Sequence, residues 1–230
     1  MRLYLLTLGT VTATGAPVPG YLIETDDGRR VLVDTGYSRH APAGPIRVGP
    51  EQGIERQLEA LGLTPQDIQY VVCSHLDPDH AGNHDLFPAA EFVIQRDHLE
   101  LARSGGLPRL GLTRAAWDAP GLRYRQITGD AVLLPGIELI RSSGHVTGHQ
   151  SVLVRLPLSG PVLLACDAIP TLAALDPDQR PIYPFDTDEP EVRAATRRLV
   201  KLAEAEDARI ICGHDAEQWQ TLPAPPDYLD

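Results

Sequence analysis

Short apolar runs alternate with longer amphipathic stretches along most of this 230-residue chain. Runs rich in branched and aromatic residues, bounded by turn-forming residues, predict β-strands. They fall at residues 3–6, 21–24, 31–33, 68–73, 92–94, 137–140, 151–156, 162–165 and 210–212. Apolar positions at helical spacing predict amphipathic helices at residues 54–61, 97–103 and 192–202. The alternation of the two patterns predicts an α/β protein.

Two segments of the chain share one pattern. Residues 21–36 and residues 151–168 each predict a hairpin whose second strand ends at an aspartate, Asp34 in the first and Asp167 in the second. We expect two similar halves packed as one four-layer αββα sandwich, so residues 1–230 are predicted to form a single domain. Residues 107–121 show no clear period and are predicted to be a surface excursion, and the proline-rich residues 169–186 a candidate lid.

Charge and composition narrow the classes of partner. The formal net charge of −11 argues against nucleic acid and against an anionic membrane surface, because both attract clustered lysine and arginine. No apolar run approaches the length of a membrane span, and the short apolar start is interpreted as a strand rather than a signal peptide. The three cysteines, Cys73, Cys166 and Cys212, are interpreted as small buried apolar residues of a protein in the reducing cytoplasm.

The strongest chemical signal is the segment SHLDPDHAG at residues 74–82. Four side chains that can bind metal, His75, Asp77, Asp79 and His80, follow directly after a predicted strand. A loop that leaves a strand can turn successive side chains towards one point, which a continuing strand cannot. Since imidazole and carboxylate are ligands of zinc, iron and manganese, the segment predicts a metal site.

Further candidate ligands follow three other predicted strands, and they are His145, Asp167 and His214. Functional sites of α/β sheets collect at the ends of strands. The sequence therefore offers four histidines and three aspartates from four loops as candidate metal ligands.

Around these residues the chain resembles the metallo-β-lactamase superfamily over nearly its whole length, and within it the N-acyl homoserine lactonases. The resemblance rests on LVDTG at residues 32–36, SHLDPDHAG at 74–82, SGH at 143–145, GHQS at 148–151, LLACDA at 163–168 and CGHDAEQ at 212–218. It implies a centre of two divalent ions of zinc, iron or manganese. In that centre His75, Asp77 and His145 bind one ion, Asp79, His80 and His214 bind the other, and Asp167 bridges both. Asp34 would orient a ligand from outside.

The resemblance also implies a reaction. A hydroxide shared by the two ions attacks the carbonyl of a small lactone, and one ion takes the alkoxide that leaves. Homoserine lactones are the leading substrates, so the implied biological role is quorum quenching. Asp79 is expected to serve both as a ligand and as a proton shuttle, and Asp167 joins it among the catalytic residues.

The chain departs from the superfamily at Asp77, where the motif usually carries a histidine. The centre then holds three carboxylates instead of two, so we expect its net positive charge to fall and the shared water to ionise at higher pH. Harder oxygen ligands also favour iron or manganese over zinc. The alternative is that Asp77 turns away and leaves the first site incomplete.

A second departure is Pro170, which stands where the lactonases usually carry a tyrosine that contacts the substrate carbonyl. Tyr183, in the candidate lid, is proposed to take over that role. The alternative is that Tyr183 is an ordinary residue of the lid without contact to the substrate. The stretch at residues 9–20 is also shorter than the substrate-lining loop of the lactonases. Both departures weaken the substrate assignment and leave the metal site unchanged.

The remaining histidines near and far from these motifs receive no ligand role. His149 is expected to hydrogen-bond within its loop, and His84 to be a neighbour of the site or exposed. His40 and His98 carry no motif and are interpreted as solvated or satisfied histidines.

Competing functions stay open at the level of the sequence. A thioesterase of glyoxalase-II type, a β-lactamase or an esterase would use the same centre, whereas the acidity of the chain disfavours RNA processing. A diiron redox or oxygen-sensing protein is a different class, suggested because the flavodiiron family carries a carboxylate at the position of Asp77. A non-catalytic metal-binding scaffold is the third class, and the oligomeric state is left open.

Overall fold

The structure, a computed structural model, describes residues 1–38 and 44–230. His40, predicted to be solvated or satisfied, lies outside these residues. Among the residues described, no helix combines the length and the apolar character needed to cross a bilayer.

The first sheet is built mainly from the first half of the chain. Its strands are β1 (Arg2–Val11), β2 (Pro17–Glu24), β3 (Arg30–Val33), β4 (Ile46–Arg47), β5 (Tyr70–Val72), β6 (Glu91–Gln95) and β7 (Arg123–Ile127). They lie in the order β4-β1-β2-β3-β5-β6-β7. β1, β2 and β3 are antiparallel neighbours, and the pairs from β3 through β7 are parallel.

The second sheet follows from the second half of the chain. Its strands are β8 (Ala131–Leu134), β9 (Ile137–Arg141), β10 (Gln150–Leu156), β11 (Gly160–Cys166) and β12 (Arg209–Cys212). They lie in the order β12-β11-β10-β9-β8, and only the β11–β12 pair is parallel.

The helices are α1 (Ile54–Ala60), α2 (Arg96–Ser104), α3 (Arg114–Trp117), α4 (Glu189–Glu206) and α5 (Ala216–Trp219). Short 3-10 helices are found at Pro65–Asp67, His84–Leu86, Pro108–Thr113 and Leu172–Ala174. Helix α4 begins where the Asp188 side chain accepts a hydrogen bond from the Glu191 amide, so it is capped at the aspartate that the sequence marks as a helix start.

Three apolar clusters show how the layers are stacked. Alternate residues of β1 divide between two of them, because side chains of a strand point to opposite faces: Leu3 and Leu5 enter the cluster between the sheets, whereas Tyr4 and Leu6 pack towards α1 and α2. The third cluster joins the outer face of β10 and β11 to Leu199 of α4. The layers are therefore helix, sheet, sheet and helix, which confirms the predicted αββα sandwich, and the shared middle cluster is the physical reason to expect a single domain.

The two similar segments predicted from the sequence form similar structures. β2 and β3 make an antiparallel hairpin and β3 then pairs in parallel with β5, just as β10 and β11 make a hairpin and β11 pairs with β12. A residue with positive φ lies at the end of each second strand: Asp34, at 60°, directly follows β3, and Cys166, at 48°, is the last residue of β11. This backbone region is uncommon for residues other than glycine, so both strands turn sharply at the edge where the candidate ligands lie.

The prediction for residues 107–121 as a surface excursion is wrong in part. Leu110 and Trp117 are fully buried, and the Trp117 Nε1–H donates to the Leu110 carbonyl at 2.8 Å. The segment lacks a regular period because it combines a 3-10 helix with a single helical turn, so two anchors fasten it without forming a stripe.

Candidate metal centre

All seven candidate ligands converge on the edge where strands of both sheets end. His75, Asp77, Asp79 and His80 occupy the loop after β5, and His145 occupies the loop between β9 and β10. Asp167 follows β11 directly and His214 follows β12. The loop after β5 passes close to the chain beyond β3, because a Cβ on Gly82 would stand 2.5 Å from the amide nitrogen of Ser38. Glycine is therefore required where the loop turns its ligands inward.

The first group of ligands consists of His75, Asp77 and His145, whose ligand atoms all lie within 4.8 Å of one another. The Asp77 Oδ2 atom is 3.1 Å from His145 Nε2 and 3.4 Å from His75 Nε2. Asp77 therefore turns towards the cluster, and the alternative in which it leaves the first site incomplete does not describe this structure.

The second group consists of Asp79, His80 and His214, again with ligand atoms within 4.8 Å of one another. The Asp79 Oδ2 atom lies 3.6 Å from His80 Nε2 and 3.8 Å from His214 Nε2. The side chain of Asp79 is 19% exposed, against 9% for Asp77 and 11% for Asp167, so it is the carboxylate with the widest access to solvent.

Asp167 lies between the two groups and offers one oxygen to each. Its Oδ1 atom is 3.2 Å from His80 Nε2 and 3.1 Å from His214 Nε2. Its Oδ2 atom is 3.5 Å from His145 Nε2 and 3.9 Å from His75 Nε2. This division of its two oxygens is what a carboxylate shared by two ions requires.

Every histidine of the cluster is held from outside through its Nδ1 atom. The contacts are His75 with Ser74 Oγ at 2.9 Å, His80 with Asp34 Oδ2 at 2.8 Å, His145 with Asp186 Oδ1 at 3.1 Å and His214 with the Pro17 carbonyl at 2.8 Å. Each Nε2 atom is thereby left to point inward, which is the arrangement that fixes the ring and tautomer of a metal-binding histidine. Asp34 supports a histidine of each group, because Ser74 Oγ also donates to Asp34 at 2.6 Å.

The electrostatics of the pocket favour positive charge. Burial raises the pKa of Asp167, but the charges of His214 and His80 outweigh burial and hold that pKa well below its usual range. Burial lowers the pKa of His80, yet the charges of Asp167 and Asp79 outweigh it and raise that pKa well above its usual value. Against the same effect of burial, hydrogen bonds to Asp186 and Asp77 raise the pKa of His145 to about 9. The cluster of candidate ligands therefore favours the binding of cations between its carboxylates.

The residues present fit a pair of metal ions. His75 Nε2 and His80 Nε2 are buried, and neither finds a hydrogen-bond partner in suitable geometry within residues 1–38 and 44–230, although carboxylate oxygens stand 3.2–3.9 Å away. Buried polar atoms without partners are costly, so inward imidazole nitrogens facing carboxylates at this spacing are best satisfied by cations between them. Imidazole and carboxylate together suit zinc, iron and manganese.

Sequence reasoning missed four groups that position this cluster. Arg109 Nε donates to Asp77 at 2.7 Å, and Asp186 and the Pro17 carbonyl hold histidines. His98 joins two ligand loops, because its Nδ1–H donates to the Thr147 carbonyl at 2.7 Å while its Nε2 accepts from the Leu76 amide at 2.9 Å. A partner far away in the sequence leaves no local pattern, so only the structure identifies these contacts.

Tyr183 does not belong to either group of ligands. Its hydroxyl hydrogen-bonds with Thr171 Oγ1 at 3.0 Å, and its amide donates to Asp186 at 2.9 Å. The hydroxyl therefore lies beside Pro170, the position of the missing tyrosine, so its role towards a substrate stays a prediction.

The other histidines that the structure describes, His84, His98 and His149, are fully buried. His149 Nδ1 contacts Ser142 Oγ at 2.9 Å within its own loop region, as expected. His84 is fully buried, with Nδ1 at 3.1 Å from the Tyr124 hydroxyl, so the alternative that it is exposed is wrong. Cys73, Cys166 and Cys212 are buried free thiols, which confirms the interpretation of them as buried cysteines.

The fold and this cluster together define an αββα sandwich with a cluster suited to metal binding where the strands of both sheets end. The profile of the metallo-beta-lactamase superfamily matches residues 13–214. The chain therefore belongs to the metallo-β-lactamase superfamily.

Individual relatives agree with this assignment. N-acyl homoserine lactonase AttM of Azorhizobium caulinodans is 34% identical over an alignment of 241 positions that covers 93% of this chain and 88% of that protein. N-acyl homoserine lactonase AiiA of Bacillus thuringiensis subsp. kurstaki is 34% identical over 227 residues, covering 93% and 87%. Among solved structures, an N-acyl homoserine lactone hydrolase with N-hexanoyl-L-homoserine at its catalytic metal centre has a TM-score of 0.86 at 29% identity, covering 99% of this chain and 98% of that one.

Proposed function

We propose that this protein is a metal-dependent hydrolase that opens the ring of N-acyl homoserine lactones, and that it thereby acts in quorum quenching. The observation that carries the proposal is Asp167, whose two oxygens face the two groups of ligands separately. The named relatives, which act on N-acyl homoserine lactones, support the substrate class.

The residues proposed to hold the two ions are His75, Asp77 and His145 for the first, Asp79, His80 and His214 for the second, and Asp167 for both. Two divalent ions of zinc, iron or manganese would supply Lewis acidity and a lowered pKa for a water molecule between them. The chain itself fixes the direction of the four histidines through their outer contacts, so little reorganisation of these rings is needed when the substrate binds.

Asp79 is the residue we assign to proton transfer. In lactone hydrolysis water adds to the acyl carbon, the ring carbon–oxygen bond breaks, and a proton passes from the water to the departing oxygen. Asp79 is the most exposed of the three carboxylates, and its side chain lies next to the imidazoles of His80 and His214. It can therefore take and return that proton within the reaction.

We also infer a cytoplasmic location and a small-molecule partner. The three buried free thiols support a reducing compartment, and the acidic balance of the chain supports a partner other than nucleic acid.

One experiment separates the candidate functions. Metal content is measured on protein expressed without added metal, and the same sample is assayed against a lactone, a thioester and a β-lactam. About two ions per chain with preferred lactone turnover is the expected result. Thioester or β-lactam preference would move the activity within the superfamily, and a visible diiron spectrum with oxygen reactivity would favour the redox class. Folded protein with only trace metal would refute the metal centre.

A further inference from the structure

Arg109 forms a directed ion pair with Asp77 at the edge of the cluster. Its Nε atom donates to Asp77 Oδ1 at 2.7 Å, and the two side chains are 20% and 9% exposed. The other oxygen, Oδ2, faces His145 Nε2 at 3.1 Å and His75 Nε2 at 3.4 Å. The two oxygens of the Asp77 carboxylate are thus divided between the guanidinium of Arg109 and the two histidines.

The guanidinium is left incompletely paired by this division. Its Nη2 atom is buried and has no hydrogen-bond partner among the residues that the structure describes. A guanidinium usually meets a carboxylate through two parallel hydrogen bonds. Here the second bond is missing because Asp77 Oδ2 points to the histidines, so the orientation of Asp77 favours the cluster over the arginine.

Arg109 is held in place by its neighbours in the chain. It belongs to the 3-10 helix Pro108–Thr113. The residue after it, Leu110, is fully buried, and its carbonyl accepts a hydrogen bond from Trp117 Nε1 at 2.8 Å. The arginine is therefore a built part of the site, and the irregular segment at residues 107–121 has the role of carrying it.

We propose that Asp77 and Arg109 act together as one electrically neutral ligand unit, with Asp77 as the ligand and Arg109 as the positioning residue that offsets its charge. The proposal rests on the metal centre described under the proposed function. It changes the expectation drawn from the sequence: the third carboxylate does not lower the charge of the centre by a full unit, because the guanidinium adds a positive charge beside it. The pair then stands where relatives use one neutral imidazole.

The test is a four-member series: the unchanged protein, Arg109→Met, Asp77→His and the double variant. Each chelator-treated protein is titrated with zinc. Asp77→His leaves an uncompensated cation beside the ion, so we expect it to bind zinc about 10–100-fold more weakly than the double variant, the range typical for outer partners of metal ligands. Equal zinc affinity of Asp77→His and the double variant would overturn the proposal, because Arg109 would then be a bystander.

The melting temperatures of the metal-free proteins give a second readout that needs no metal. Arg109→Met should lower the melting temperature when Asp77 is present, because it removes one partner of a buried carboxylate, and should raise it in the Asp77→His background, because it removes a partly buried cation that has lost its carboxylate. A change of the same sign in both backgrounds contradicts the proposal. Because this comparison uses neither metal nor substrate, it can fail or succeed independently of the proposed lactone hydrolysis.

Two further variants control for folding and for general loss of charge. Asp77→Asn is nearly isosteric with the native side chain, so it replaces Asp77→His if the larger imidazole prevents folding, and combining Asp77→Asn with Arg109→Met should recover zinc affinity in the same way. Arg103→Met removes another arginine whose Nε donates to an aspartate, Asp118, at 3.1 Å. We expect Arg103→Met, added to Asp77→His, to leave zinc affinity unchanged, and a gain equal to that from Arg109→Met would overturn the proposal, because loss of positive charge anywhere nearby would then explain the result.

Discussion

Asp167 is the residue on which both groups of ligands depend. Replacing it with asparagine removes the charge that Oδ1 presents to His80 and His214 and that Oδ2 presents to His145 and His75. We expect Asp167→Asn to weaken binding of both ions by more than the roughly 10–100-fold that an outer partner costs. Metal analysis after dialysis measures this, with the surface residue Asp130 changed to asparagine as the control. Loss of one ion with full retention of the other and of activity would contradict the shared carboxylate.

Tyr183 permits a direct comparison with its hydrogen-bond partner. If its hydroxyl only bonds to Thr171, then Tyr183→Phe and Thr171→Val remove the same contact and should each lower kcat by a small factor. If the hydroxyl instead stabilises charge on the substrate oxygen, only Tyr183→Phe should lower kcat, by about 100- to 1,000-fold. We expect the first result, because the hydroxyl already has a protein partner; the split between the two variants decides the role.

The candidate ligands and the supporting position of Asp34 were predictable from the sequence, whereas the other supporting contacts were not. His75 to His80 share one short segment, and a histidine or aspartate at a strand end is visible without any structure. Arg109 and Asp186 carry no such signal, since each reaches its partner across a long stretch of chain. The sequence therefore predicts which atoms can bind metal, whereas the tertiary fold decides which groups hold those atoms and offset their charge.

At the scale of elements, the start of α4 is docked on the loop that carries His145. The Gly144 carbonyl accepts hydrogen bonds from Thr187 and Asp188, both at 3.0 Å, and a Cβ on Gly144 would stand 2.2 Å from the amide nitrogen of Val192. We expect Gly144→Ala to push α4 from the loop, with a loss of about 1–3 kcal/mol in the free energy of unfolding and weaker binding of the first ion. Urea unfolding and metal analysis measure the two effects.

Gly121 provides the matched control for this substitution. It also has a positive φ, 91° against 129° for Gly144, but a Cβ there would meet nothing within 4 Å. Gly121→Ala should therefore show the backbone strain without the clash and without loss of metal. Equal losses in the two variants would mean that the contact with α4 contributes nothing.

The strands that sequence reasoning missed, β4, β7 and β8, all lie at edges of the sheets. β7 is largely exposed and has the sequence RYRQI, and β8 is four residues long with Val132 63% exposed, so neither shows more than two consecutive buried apolar residues. Central strands such as β3 and β11 were predictable because their residues are buried on both faces. Pairing at an edge is decided by the neighbouring strand, which a local pattern does not contain.

For the whole molecule, two buried histidines make the free energy of unfolding depend on pH in the acidic range. Burial lowers the pKa of His84 to about 3 and that of His98 to about 4. Below the ordinary histidine pKa of about 6.5, these histidines are protonated in the unfolded chain but stay neutral in the folded chain. The free energy of unfolding therefore falls as the pH decreases, by about 1.4 kcal/mol per pH unit for each group. The effect continues down to each folded pKa.

His84→Phe isolates one of the two groups. Phenylalanine keeps an aromatic ring beside Phe92, whose ring centre lies 4.8 Å from that of His84, but it cannot be protonated. We expect the free energy of unfolding of the variant, relative to the unchanged protein, to rise steadily from about pH 6.5 to about pH 4.5 in metal-free samples, measured by urea unfolding. If the free energies of unfolding of the two proteins changed with pH in parallel, the pKa of His84 would not be lowered in the folded protein.

The spread of the ligands along the chain, from His75 to His214, also has a kinetic consequence. Contacts between residues distant in sequence require long loops to close, so they are completed late in folding. An ion that recognises only the finished arrangement stabilises the native state more than the transition state, and it should slow unfolding while leaving the refolding rate unchanged. Stopped-flow measurements with and without zinc would show this, and faster refolding with zinc would mean that the centre assembles early. On this view metal determines how long each folded molecule survives rather than whether it can fold.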